Sequence, residues 1–326
     1  MNLKLTLKSI FRRPIVKILR TLLPSLAVLV IGLLSFGIWI VYKAAHPPQN
    51  PYLVTPENFK ILSDQGVKAA EETWSNADGT KARGWLLRGD EGKPAVILLH
   101  HYSADRSWVL NLGVKLNEAT KFTVLWPDLR GHGQNPLVKW SSFGGGEVED
   151  AISAIAFLRS LKTPDGKPLV GEKIGMYGLE LGSYVSVLAA KRDPKVSALV
   201  LDSVPDSSEA MLYNVVKSRS AFDLGFLRPL TRAGAMLYLQ SFFQDKKTCD
   251  EAARVNDRQI MLLTGADANI YRESTISLSA CFPKTNTIER YSDLPLSGLN
   301  LIVANGEQSE AYDRRVIDFF DKTLAQ

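Results

Sequence analysis

Glu180 is the residue whose type and setting most directly suggest chemistry in this chain. It stands at the centre of Gly178-Leu-Glu-Leu-Gly182, after the apolar stretch Ile174–Tyr177 and before Ser183–Lys191, which is helical in pattern. Glycines on both sides let the backbone pack closely around a central residue held in a strained conformation. A carboxylate at such a turn could serve as nucleophile or general base. The N-terminus of the following helix favours its charge by roughly 0.3–1 kcal/mol. A covalent ester on it would stall without a histidine to activate water, and the chain has only His46, His100, His101 and His132, none beyond residue 132. No metal-ligand spacing and no cofactor motif is found, so no cofactor is expected.

The elements that must position Glu180 are alternating strands and helices. Ala95–Leu99 is a continuous apolar strand, Asp105–Ala119 a helix, Phe122–Trp126 the next strand and Gly145–Leu161 a helix. The Glu180 strand and its helix follow, then a strand over Ser197–Leu201. Apolar strands in this order predict a mostly parallel, doubly wound α/β sheet of about eight strands covered on both faces. Ahead of it, Glu71–Trp74 and Lys81–Arg88 read as an antiparallel hairpin across Asn76-Ala-Asp-Gly79. From residue 203 to 258 the rhythm breaks into a helical pattern carrying Phe222, Phe226, Leu227, Leu230, Met236, Leu237, Phe242 and Phe243. That stretch is either a cap over the site or ordinary outer-layer helices. Strands are expected again at Ile260–Thr264 and Leu299–Ala304, with a closing helix over Ala311–Leu324.

The charge is unevenly placed. Residues 1–43 hold seven bases and no acid; removing those seven from the chain's 39 leaves 32 against 34 acids, a net of −2. Nothing in that balance suggests nucleic-acid binding, for which a basic patch on the folded part is expected. The run Thr21–Tyr42 is 22 residues without a charge, roughly 33 Å as a helix and long enough to cross a bilayer. Six bases precede it, which orients the N-terminus to the cytoplasm and the rest to the extracytoplasmic, periplasmic side. The run is too long for a signal peptide, and Tyr42-Lys-Ala-Ala45 places Lys or Tyr where a small residue is needed before a cleavage site. The expected organisation is a basic cytoplasmic segment over 1–20, a membrane helix over 21–42, a stiff proline-rich linker over 43–69 and an α/β domain over 70–326. Cys249 and Cys281 then lie in an oxidising compartment. They either close a loop of about 30 residues, worth on the order of 3–4 kcal/mol, or stay as two buried thiols.

Four motifs in register resemble the α/β hydrolases. Ile97-Leu-Leu-His-His-Tyr102 is similar to their oxyanion strand and turn, Trp126-Pro-Asp-Leu-Arg-Gly-His-Gly133 to a segment after the next strand, Gly178–Gly182 to the G-x-S-x-G elbow, and Thr264-Gly-Ala-Asp267 to the turn bearing the acid. The branch it most resembles is the serine aminopeptidase and dienelactone-hydrolase-like group, rich in membrane-anchored bacterial proteins. The resemblance implies a nucleophile at Glu180, an acid at Asp267, a base at Gln308, and oxyanion donors from the backbone of Leu181 and of His101 or Tyr102. Two of these positions depart from the pattern: a carboxylate replaces the serine, and an amide replaces the histidine. His101 stands where glycine is usual. His100 and His132 belong to structural turns, and Ser183 to helix–sheet packing. Relatives that use an elbow aspartate still need a histidine-activated water to release the ester.

The expectation is therefore a catalytically degenerate, membrane-anchored hydrolase-like protein acting in binding or assembly, with a small molecule or a neighbouring membrane protein as partner. Its Glu180 could fold back onto the oxyanion donors. The alternative is an atypical hydrolase using Glu180 as nucleophile or base.

Overall fold

Five strands in the middle of the chain carry few polar side chains, and such strands are stable only with both faces covered. The computed structural model describes residues 3–59, 67–219, 225, 227–303 and 306–325. It opens on a long helix, α1 (Leu3–Ala45), a short helix α2 (Pro56–Phe59) and a hairpin of β1 (Ala70–Ser75) with β2 (Lys81–Leu87). Then follow β3 (Ala95–Leu99), α3 (Leu110–Thr120), β4 (Thr123–Pro127), α4 (Gly145–Ser160), β5 (Ile174–Leu179), α5 (Leu181–Arg192) and β6 (Val196–Asp202). The helical insertion comprises α6 (Ser208–Ser218), α7 (Leu227–Tyr238) and α8 (Thr248–Ala252). The chain closes with β7 (Gln259–Gly265), α9 (Arg272–Leu278), β8 (Thr287–Leu294) and α10 (Gly306–Leu324).

The sheet has eight strands in the order β1-β2-β4-β3-β5-β6-β7-β8. β1–β2 and β2–β4 pair antiparallel, and every later pair is parallel. Alternation along β3 divides the core. Ala95, Ile97 and Leu99 join the cluster built with α4 and α5, while Val96 and Leu98 join the cluster built with α3 and α10. Both faces are thus dry, as the apolar strands require.

One expected strand is wrong. Leu299–Ala304 does not enter the sheet: Gly298–Val303 is a 3₁₀ segment, and Ala304 lies outside the described residues. The eighth strand is Thr287–Leu294, whose half-exposed, polar-rich sequence is that of a sheet edge. The expected cap phenylalanines Phe222 and Phe226 also lie outside the described residues. Cys249 and Cys281 are disulfide-bonded, with Cα atoms 5.2 Å apart, and tie α8 to the end of the α9 region.

By length and composition α1 is apolar enough over Arg20–Ala45 to cross a membrane. Its last two turns are not free. Ile40, Val41, Ala44 and Ala45 are buried in the same cluster as Leu181 and Tyr102. The linker is packed on the domain as well: Tyr52 donates to Asp128 (2.7 Å) and the Leu53 N–H to Ser107 Oγ (3.1 Å). Beside the domain, α1 meets α7 backbone to backbone. A Cβ on Gly37 would sit 2.7 Å from the Leu230 carbonyl oxygen, and one on Gly234 would collide with the Gly37 carbonyl. Small residues permit this approach. Gly234→Leu is expected to destabilise the protein by about 1–3 kcal/mol in thermal unfolding in detergent. Gly32→Leu, at a position with nothing within 4 Å, should change it little.

Candidate functional site

The turn from β5 into α5 is built by its glycines. A Cβ on Gly178 would strike the backbone of Gly182, and one on Gly182 would strike the Leu99 carbonyl at the end of β3. Glu180 between them has φ 46° and ψ −104°, a region that costs a non-glycine residue on the order of 1–3 kcal/mol. Neighbours hold it there. Its N–H donates to the Asp202 carbonyl (3.0 Å), and its own carbonyl accepts from the Tyr184 N–H (3.0 Å). Ser183 Oγ lies 2.5 Å from the Gly178 carbonyl and 2.7 Å from that of Asp202, and accepts the Asp202 N–H (3.0 Å). Ser183 is therefore a fully buried clasp between β5 and β6.

The Glu180 side chain is buried and turns back onto its own scaffold. Oε2 accepts the Tyr102 N–H at 2.8 Å, Oε1 accepts the Tyr271 hydroxyl at 2.6 Å, and the Leu181 N–H also bonds the carboxyl. Burial raises its pKa, and the Tyr271, Tyr102 and Leu181 donors pull it back. All three partners are donors, the pattern that suits an ionised carboxylate. Tyr271 stays a donor because burial and the Glu180 charge raise its own pKa, and Asn214 on α6 hydrogen-bonds its hydroxyl. Asn269, two residues before Tyr271, has nearly the same strained backbone as Glu180, φ 47° and ψ −113°.

Tyr102 is a junction. Its N–H reaches Glu180, while its hydroxyl donates to the Ala44 carbonyl at the end of α1. Arg219 donates to both that hydroxyl and the Lys43 carbonyl, and the Ser141 N–H caps the Ala45 carbonyl at 2.8 Å. The last carbonyls of α1 are thus satisfied by the domain.

No family model matches the chain. Over 132 residues, 40% of this chain and 40% of the relative, the sequence is 26% identical to a thiohydrolase, aneE, of Aspergillus aculeatus. The match thus spans well under half of that relative's length. Solved structures align far more completely. The Pyrococcus furiosus esterase Pf2001 superposes with a TM-score of 0.64 over 86% of this chain and 99% of its own, at 17% identity. The α/β hydrolase GrgF from Penicillium gives 0.56 over 79% and 99%, at 17% identity. This chain has the α/β-hydrolase fold. An enol-lactonase from Burkholderia xenovorans shares that fold at 15% identity, with a TM-score of 0.51 over 76% of this chain and 99% of its own.

In α/β-hydrolase terms the expected residues fall as follows. Glu180 is at the elbow. The two backbone donors aimed at one point are those of Leu181 and Tyr102, with Tyr102 rather than His101 supplying the second. Asp267 lies just after β7, and its carboxylate accepts the Ser297 N–H (2.7 Å), the Ser297 hydroxyl (2.8 Å) and the Asn300 amide (2.6 Å). Gln308 lies half-buried in the first turn of α10. With β8 ending at Leu294, the segment that follows the last strand is Pro295–Asn300, and Ser297 faces the acid.

The histidines are bonded to backbone. His100 Nδ1 lies 2.8 Å from the His101 carbonyl, and its Nε2 accepts the Leu129 N–H. His101 and His132 each place Nδ1 2.8 Å from a carbonyl, those of Tyr102 and Arg130. Burial lowers the pKa of all three, that of His101 to about 4. Asp128 and Arg130 of the second motif are structural too: Asp128 accepts the Arg106 N–H (3.1 Å), and Arg130 Nε donates to Asp150 (2.7 Å).

Sequence reasoning missed Tyr271 and Asp202. Asp202, at the end of β6, is fully buried and accepts from Tyr312 (2.6 Å), the Gly298 N–H (2.7 Å) and Ser203 (2.7 Å). Burial raises its pKa to about 6 against those donors. A weak signal existed: an acid directly after an apolar strand, at the sheet edge where this fold binds ligands.

Removing the tyrosine hydroxyl with Tyr271→Phe is expected to cost about 1.5–3 kcal/mol at pH 7, because a charged buried acceptor loses a donor. Denaturant unfolding reads this, and a change under 0.5 kcal/mol would contradict it. Asp202 gives a pH signature. Its folded pKa is raised, so between pH 7 and 5 the folded state takes up a proton that the unfolded state does not, and stability rises as pH falls. Against Asp202→Asn, the wild type should gain on the order of 1 kcal/mol over that interval.

Proposed function

We propose that this chain is a membrane-anchored α/β-hydrolase-fold protein with an idle elbow, acting in binding or assembly at an extracytoplasmic membrane face. One observation carries the reading: the Glu180 carboxyl already occupies the Leu181 and Tyr102 donors and the Tyr271 hydroxyl. An oxyanion hole accelerates acyl transfer only if its donors are free to meet charge that develops in the transition state. Here a resident charge takes them. The imidazoles add support: none is among the partners of the Glu180 carboxyl, and His100 has both ring nitrogens engaged by backbone.

The placement has its own support. The apolar run of α1 is preceded by six of the seven N-terminal bases, which favours a cytoplasmic N-terminus and a periplasmic domain. The Cys249–Cys281 bond fits an oxidising compartment. Two partner classes suit the reading: a neighbouring membrane protein, or a small molecule in the cavity of about 210 Å³ lined by Leu53, Trp108, Leu112, Leu179 and Leu301.

The second reading is an atypical hydrolase of an ester, amide or related bond, with Glu180 as nucleophile or base. It is favoured by the company of the fold, an esterase, an enol-lactonase and a thiohydrolase. Full-length protein in detergent, assayed on short acyl esters and thioesters beside Glu180→Ala, separates the two. The proposal expects no turnover above buffer in either. Turnover in the wild type that disappears in the variant would overturn it.

A further inference from the structure

Helix α7 has three sides. At 100° per residue, Leu230 and Gly234 point toward α1, while Leu227, Thr231 and Ala235 point into the domain and are buried. Arg228 and Arg232 lie on the far side from α1, where both pair with Glu209 (3.1 and 2.9 Å) and Arg232 also with Asp245 (3.3 Å). The remaining arc, Pro229, Ala233, Met236 and Leu237, has no charge. It nevertheless faces outward, with Met236 51% and Leu237 48% exposed. Two large apolar side chains left bare beside a neutral arc call for a cover.

The depth of α7 along α1 indicates what that cover is. Leu230 and Gly234 touch Gly37, and the Tyr238 ring meets Tyr42 edge-on at 5.8 Å between centroids. The two helices therefore run in the same direction, with α7 alongside residues 37 to 42 of α1. Those residues belong to the uncharged run that ends at Tyr42. Gly37 lies five residues inside that end, roughly 7–8 Å along the axis. On the α1 side the adjacent surface is equally apolar: Leu33, Phe36 and Trp39 are exposed, and the Phe36 and Trp39 rings stack at 5.8 Å. A bilayer crossed by α1 must reach this level, and α7 is already there.

We infer that α7 is a second membrane element, an amphipathic helix sunk into the outer leaflet against α1, with Ala233, Met236 and Leu237 among the acyl chains. Its arginines stay on the side turned from α1, paired with Glu209. The occupant of the apolar arc is lipid. The inference rests on the reading of α1 as a membrane anchor and extends it: the helical insertion, and not the anchor alone, sets the height of the domain on the membrane.

The test uses full-length protein in nanodiscs of phosphatidylcholine and phosphatidylglycerol, with single spin labels at Leu29→Cys, Leu237→Cys, Met236→Cys and Asp165→Cys. Asp165 is an exposed loop residue far from α1 in the sequence and serves as the aqueous reference. Oxygen and a water-soluble nickel chelate compete as relaxing agents, and the Cys249–Cys281 bond is kept oxidised during labelling. Expected is an oxygen-to-nickel ratio at 236 and 237 several-fold above that at 165, approaching the value at 29. A lipid-like ratio at 29 with water-like ratios at both 236 and 237 overturns the inference and leaves the anchor standing. Protection from both agents at 236 and 237 means that protein covers the arc, and also overturns it. A water-like ratio at 29 removes the anchor and the inference together. Two labelled positions on α7 guard against one substitution disturbing the fold, which thermal unfolding of each variant checks.

Discussion

The carboxyl of Glu180, gripped by the Tyr102 and Leu181 N–H groups and the Tyr271 hydroxyl, is the bond set on which the architecture around the sheet's C-terminal edge depends. Each donor comes from a different place: the turn after β3, the first turn of α5, and the segment after β7. Asn214 extends the grip to α6. Burying a carboxyl is costly, and several charge-assisted bonds offset that cost only when all of them are made. This makes the group an all-or-none tie between elements distant in sequence. Strain at Glu180 and at Asn269 persists because the tie over-determines both.

A second set of buried ties lies beside the first. Ser183 clasps β5 to β6, Asp202 holds the Gly298 N–H and the Tyr312 hydroxyl, and Asp267 holds Ser297 and Asn300. Both acids thus secure the segment after β8, the stretch from which a base would have to reach the elbow in this fold. Their lone pairs go to backbone, hydroxyl and amide donors rather than to an imidazole. The polar groups suit a fixed scaffold, and their satisfaction leaves little for a substrate to displace.

Much of this was legible from residue order. Continuous apolar runs such as Ala95–Leu99 mark buried parallel strands, the glycine pair 178 and 182 marks the elbow, and Ser183 next to Gly182 is small enough only for packing. β8 was hidden for a physical reason. As an edge strand, Thr287–Leu294 covers one flank only and keeps Glu289, Arg290 and Asp293, whereas the apolar run at 299–303 imitates a strand while forming a 3₁₀ segment. Tyr271 was invisible because its contact spans 91 positions and nothing local distinguishes it from other turn tyrosines. Two cysteines cannot report their separation, and prolines 47, 48 and 51 suggest a stiff spacer without showing that Tyr52 beside them bonds Asp128.

The end of α1 carries a consequence for biogenesis. This helix is made before the domain it docks on, yet the carbonyls of Lys43, Ala44 and Ala45 find their donors on Arg219, Tyr102 and Ser141, between 58 and 176 positions downstream for the two side-chain donors. The end of α1 therefore remains unfinished until the chain has emerged as far as Arg219. Severing it to obtain a soluble fragment would strip the tyrosine beside the elbow of its acceptor and open an apolar trench where Val41 and Ala44 had been.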